Sequence, residues 1–117
     1  MSNPSISTIF SPVLTIETAN SKQHTVSCHV VNCSNVPVSG EINIFEGTGN
    51  SISYGGYNNL PPGGCTGISV NHFNPLNAPV TLVYCRLTVN GCNADVIRGS
   101  LVIADKNGNA LISVLAS

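Results

Sequence analysis

Charge is what this chain has least of. Its 117 residues include four Lys or Arg and five Asp or Glu, 8% in all, where a soluble domain ordinarily carries about a quarter. The four cations, Lys22, Arg86, Arg98 and Lys106, are scattered along the chain. Nucleic-acid binding, which draws on clustered basic groups, is therefore excluded. Tryptophan is absent and the only methionine is Met1. No uninterrupted apolar run approaches the ~18 residues of a membrane helix. No stretch repeats at the helical period, and there is no CxxC pair. The N-terminal MSNPSISTIF has neither the basic start nor the long apolar stretch of a secretory leader.

Polarity comes instead from uncharged residues, 15 Asn, 14 Ser and 8 Thr. An apolar fraction of 42% is enough for a core and excludes a disordered chain. Five cysteines point to an oxidising compartment. The expectation is a secreted or cell-surface protein in which Met1 stands where a leader was removed; the alternative is an intracellular protein with free thiols. A surface this poor in charge resists self-association weakly.

Two stretches organise the chain, His24–Val31 (HTVSCHVV) and Thr81–Val89 (TLVYCRLTV). In the first, Val26, Cys28 and Val30 share a face. In the second, Val83, Cys85, Leu87 and Val89 do, with Tyr84, Arg86 and Thr88 opposed. Strand side chains alternate between faces, so each cysteine lies on its strand's more apolar side, where two facing sheets would bring them across a core. Further strands are expected at Pro12–Glu17, Val38–Phe45, Cys65–Val70, Ile97–Ala104 and Ala110–Leu115, with an ambiguous one at Ser51–Asn59. LPPGG (Leu60–Gly64), Asn90-Gly91 and KNGN (Lys106–Asn109) are turn signals. This is the pattern of an all-β, two-sheet antiparallel β-sandwich of about 7–8 strands. It makes a single domain over 12–117, preceded by an extended N-terminal arm over 1–11. The apolar Ile6, Ile9 and Phe10 of that arm, and Ile112 and Val114 of a last hairpin apolar on both faces, suggest a contact surface between subunits.

In architecture the region Pro12–Ala104 resembles the immunoglobulin-like sandwich superfamily, with Cys28 and Cys85 on the second and sixth strands. It departs from it in having no tryptophan, and Val83 where the family has a tyrosine two residues before the second cysteine. The resemblance implies a Cys28–Cys85 bridge through the core. It also implies that the loops holding Cys33, Cys65 and Cys92 share one pole, where two of the three would pair, Cys65 with Cys92 being favoured, and one stay free. Asn32-Cys33-Ser34 matches the N-glycosylation sequon.

No cofactor is expected. Zinc would need tight ligand spacing, which the cysteines lack. Blue copper needs a cysteine, two histidines and usually an axial methionine, whereas Cys28 and His29 point to opposite faces. No cysteine has a base beside it on its own face, and the acids show no pairing for acid–base work, so enzymatic activity is not expected. The reading is a non-enzymatic extracellular structural or adhesive domain, a self-assembling subunit forming a homo-oligomer or polymer. The alternative is a soluble binding module whose pole, Asn32–Pro37, Asn58–Cys65 and Asn90–Asp95, contacts a glycan, small molecule or protein, with Tyr54 and Tyr57 facing it.

Overall fold

A computed structural model describes residues 6–17, 24–73, 80–105 and 110–116. Nine strands appear among them: β1 (Ile6–Phe10), β2 (Leu14–Glu17), β3 (His24–Asn32), β4 (Val38–Glu46), β5 (Ser51–Leu60), β6 (Cys65–Phe73), β7 (Val80–Asn90), β8 (Ile97–Asp105) and β9 (Ala110–Ala116). They form two antiparallel sheets. One runs β1-β7-β4-β5, with β2 also paired to β7, and the other runs β6-β3-β8-β9. The all-β sandwich expected from the alternation is thus what forms. Among the described residues no helix is long and apolar enough to cross a membrane.

β1 forms as an edge strand, one of the two plain readings of the N-terminal arm, the other being a frayed segment. The described part of the N-terminal arm pairs with the chain's own β7, Ile9 opposite Leu87 and Phe10 opposite Arg86. After a break at Ser11–Val13, β2 continues along the same strand, Leu14 opposite Val83. Pro12 has no N–H to offer a ladder. Ser11 fills the gap: its N–H donates to the Cys85 carbonyl at 2.9 Å, and its hydroxyl accepts from the Cys85 N–H at 2.8 Å. Counting β1 and β2 as one interrupted strand, the second strand pairs with the fifth and seventh, and the third with the fourth and sixth.

The core lies between the sheets. Val26, Cys28 and Val30 of β3, Ile42 and Ile44 of β4, Val83, Cys85, Leu87 and Val89 of β7, and Ile97, Leu101 and Ile103 of β8 are all buried. Branched aliphatics at alternate positions suit a pleated, one-sided surface, and their period turns the intervening residues to the outer faces. Cys28 and Cys85 meet in this core as two free thiols, both fully buried. The adjoining Cys85 sulfur, and then burial, holds the Cys28 thiol protonated far above the usual range of a cysteine.

The β3–β4, β5–β6 and β7–β8 connections share one pole. Asn32 ties two of them together. It is 1% exposed. Its amide donates to the carbonyls of Val36 at 2.7 Å and Leu60 at 2.9 Å, and its Oδ1 accepts from the Ser34 N–H and hydroxyl. The sequon reading is corrected here: both amide hydrogens are committed inside the fold, so the folded chain has no Nδ2 for a glycan. The β5–β6 turn beside it is closed by a bond from the Gly64 N–H to the Pro61 carbonyl. Pro62 fixes the second position and Gly63, at φ +74°, supplies the left-handed third. Replacing Asn32 by Ala should cost about 2 kcal/mol, from buried carbonyls left without donors. Asn32→Asp should cost more, because it sets a carboxylate against the same carbonyls. Urea denaturation of the two variants measures both.

Candidate functional site

The two sheets turn very different outer faces to solvent. On the four-stranded sheet, register sets Gly67, His29, Ser100 and Leu115 in one row and Ser69, Ser27, Val102 and Ser113 in the next. Apart from Leu115 and Val102 these are small or polar, and Ser27 and Ser69 hydroxyls bond across the strands at 2.9 Å.

The five-stranded sheet instead collects aromatics. Phe10 of β1 stands opposite Arg86 of β7, Arg86 opposite Asn43 of β4, and Asn43 opposite Tyr54 of β5. Three strand spacings separate the first and last of these positions, about 14 Å. The neighbouring row has Tyr84 opposite Phe45. Their rings stack, with centroids 5.2 Å apart and planes 16° from parallel. Phe10 leans toward Tyr84 at 6.5 Å, and the Arg86 guanidinium lies over Phe45, 5.0 Å from its centroid. Four of the chain's six Phe and Tyr residues therefore sit on one solvent-facing surface. Tyr54 and Phe10, 59% and 51% exposed, are its open rings. Leu82 and Val13 extend it toward one end.

Polar groups are set among the rings. The Ser51 hydroxyl donates to Asn43 Oδ1 at 2.6 Å, which fixes the carboxamide. The Tyr54 hydroxyl donates to Glu41 Oε1 at 2.7 Å, and that bond raises the phenol pKa above its ordinary value. The Glu41 N–H donates to Thr88 Oγ1 at 3.0 Å. Along the row the open rings of Phe10 and Tyr54 flank the half-buried Arg86 and the buried Asn43.

The residues singled out from the sequence fall in several places. Ile6, Phe10 and Tyr54 are exposed, as a contact surface requires. Ile9 is buried in the core, and Val114 packs against it. Ile112 pairs with Ile103, and its side chain lies outside the described residues. Tyr57 is inside rather than on the surface. A register shift between Val38 and Gly40 sets it opposite Gly40, and its hydroxyl donates to the Thr88 carbonyl at 2.6 Å. Burial, then the nearby Cys92, pushes that phenol up to about 12.

Cys33 and Cys65 are exposed and Cys92 half-buried, all as free thiols at the shared pole. Cys65 is opposite Val31, and the Cys33 thiol lies 4.0 Å from the Val31 carbonyl. Cys92 instead packs against the core. Among the described residues no group of three or more His, Cys, Asp or Glu converges to hold a metal.

Sequence reasoning passed over Phe45, Asn43, Glu41, Tyr84 and Arg86. The signal was available in part. All five stand at the solvent parity of strands whose other parity is aliphatic, and aromatics there need a reason. What brings them together is the β4–β7 register, which pairs residues far apart in sequence.

No family model and no curated protein matches the chain. Among solved structures it is similar to the insecticidal delta-endotoxin Cry8Ea1 from Bacillus thuringiensis, at a TM-score of 0.50 and 13% identity over 89% of this chain. The chain spans only 20% of the length of that toxin, and a likeness at this identity shows the fold alone.

Proposed function

We propose that this chain is a non-enzymatic, adhesive extracellular domain that holds a glycan on the outer face of its five-stranded sheet. The observation that carries the reading is the row Phe10–Arg86–Asn43–Tyr54, with open rings at both ends and hydrogen-bonding planar groups between. A sugar presents an apolar C–H face and a rim of hydroxyls. An exposed ring accepts the first. Guanidinium, carboxamide and carboxylate groups offer donors and acceptors to the second. The length of the row suits a short oligosaccharide lying across the strands. The near-absence of charge elsewhere and the abundance of Asn, Ser and Thr suit a surface exposed outside the cell. The five cysteines support the compartment. There the facing Cys28 and Cys85 would close as the inter-sheet bridge of an immunoglobulin-like domain.

Substituting either open ring tests this. Tyr54→Ala and Phe10→Ala should each weaken glycan binding about 5- to 150-fold, if a sugar on an aromatic ring is worth the roughly 1–3 kcal/mol of a stacked base. Their melting temperatures should stay close to that of the parent, since both rings are solvent-facing. An immobilised glycan panel followed by calorimetry reads the result. Affinity unchanged in both variants, or lost only when Asn58 or Asn93 at the pole is replaced, overturns the placement on the sheet.

Self-assembly into a structural polymer is the second reading. Ile6 on β1 and Leu115 on β9 favour it: they are 66% and 78% exposed on the outermost strands of their sheets. Edge strands carrying apolar side chains are templates for pairing between chains. Light scattering over a concentration series decides it. Growth in mass that Ile6→Lys and Leu115→Lys abolish supports the polymer, and a monomer at high concentration rules it out.

A further inference from the structure

We infer that the glycan held on this face is an acidic one, and that Arg86 binds its carboxylate. The inference rests on the glycan reading above and adds the ligand's charge. Arg86 is the only cation on the face among the described residues, in a chain with four Lys or Arg in all. Its guanidinium is stacked on Phe45, and Phe45 is in turn backed by Tyr84. Packing over a ring restrains the guanidinium, whose N–H edges can meet a carboxylate with two parallel bonds.

Those edges are unused within the described chain. No carboxylate or carbonyl among the described residues accepts from Arg86. Arg98 is the contrast: its Nη1 donates to the carbonyls of Asp95 at 2.7 Å and Ile97 at 2.9 Å. Of the carboxylates whose register puts them on the same face, Glu41 is engaged by the Tyr54 hydroxyl, and Glu17 stands opposite Val80, six positions along β7 from Arg86. Glu41 also belongs to the row of Thr88, to which it is bonded. Arg86 leans the other way, over Phe45. An anion bound at Arg86 therefore stands clear of Glu41. The site thus holds an oriented, half-buried cation without an anion, beside open rings on which a sugar stacks.

The test compares oligosaccharides built of uronic or sialic acids with their methyl esters, which differ only in the charge of the carboxyl, and with sulfated counterparts. The parent should bind one of the free acids at least tenfold more tightly than its ester, and the affinity should fall as salt rises. Arg86→Gln should remove that preference, bringing acid and ester within twofold of each other. Arg86→Lys should retain part of it, since the charge stays while the paired geometry goes. Acid and ester bound equally by the parent, or a preference that survives Arg86→Gln, overturns the inference and leaves a neutral glycan on the same face. Preference for the sulfated sugars overturns the carboxylate assignment. Failure of every acidic and neutral sugar to bind overturns the glycan reading itself. Circular dichroism melts confirm that the variants remain folded, and Arg86→Lys keeps the comparison decisive if Arg86→Gln does not.

Discussion

Refolding in a glutathione redox buffer is expected to join Cys28 to Cys85 and to stabilise the domain by about 4 kcal/mol over the reduced chain. The figure follows from tying together residues 57 positions apart in the unfolded state. For a domain of this size it corresponds to a rise in melting temperature of roughly 15 °C. The two thiols give up two protons and two electrons, and oxidised glutathione takes them up to become two thiols. Location argues for this pair over the others. Both residues are fully buried on facing sheets, with their thiols adjoining. Burial also dictates when the bond forms. The attacking species is the thiolate, and the folded core keeps Cys28 protonated and beyond the reach of any oxidant. Oxidation should therefore be fast while the chain folds and slow once the core has closed. Refolding under oxidising conditions should yield a chain two hydrogens lighter, with the bridge mapped to Cys28 and Cys85 by non-reducing peptide analysis. Adding the oxidant after folding should give much less of it. A Cys28→Ala, Cys85→Ala chain should lose the whole stability gain. If the only bridge found joined two of Cys33, Cys65 and Cys92, the core pair would be an ordinary buried dithiol.

That the two cysteines would face each other was legible because it needs only parity. Alternation along HTVSCHVV and TLVYCRLTV places both sulfurs on the aliphatic side, and two one-sided sheets close on their aliphatic sides. Parity also separated Tyr84 and Arg86 from the core. It would have corrected Tyr57, which is three positions from Tyr54 and so faces the other way, had both been tested against one register. The rest depends on register between distant strands. Phe10, Arg86, Asn43 and Tyr54 come from four strands, and no local pattern says that they share a row. The partner of β1 was hidden for a related reason. Its burial alternates, Ile6, Thr8 and Phe10 outward and Ile9 into the core, but with Ile6 and Phe10 apolar on the outer side the residue types do not. What makes the segment a strand is its pairing with β7, at the far end of the chain. Asn32 read as a modification signal because its neighbours match the sequon. Its actual work, holding two loops by carbonyls four and 28 positions away, has no sequence signature.

Gly40→Ala should be the most damaging single substitution, costing about 4 kcal/mol. A methyl group on Gly40 would run into the Thr88 carbonyl oxygen and lie 2.6 Å from the Tyr57 hydroxyl. Those two atoms are themselves joined by the buried 2.6 Å bond that anchors Tyr57. The Tyr57 ring lies opposite Gly40 and stands where a side chain would be, an aromatic covering a strand glycine. Overpacking a closed core costs about 1–3 kcal/mol, and leaving the Thr88 carbonyl buried without its donor adds about 1–3 kcal/mol more. A domain with total stability of about 5–15 kcal/mol has little left after such a loss. The obstruction is mainly backbone, since the nearest atom belongs to the Thr88 peptide on β7. Removing the phenol oxygen should therefore recover little, and Gly40→Ala with Tyr57→Phe should stay close to Gly40→Ala alone. Gly56 provides the control. It lies on the neighbouring strand, and its added methyl meets nothing nearer than the Gly40 carbonyl at 3.6 Å, an ordinary contact. Gly56→Ala should be nearly neutral. Urea midpoints for the four chains order them as parent, Gly56→Ala, and then the two Gly40 variants well below. Full rescue by Tyr57→Phe would instead place the conflict at the hydroxyl and show that the β4–β7 spacing can yield.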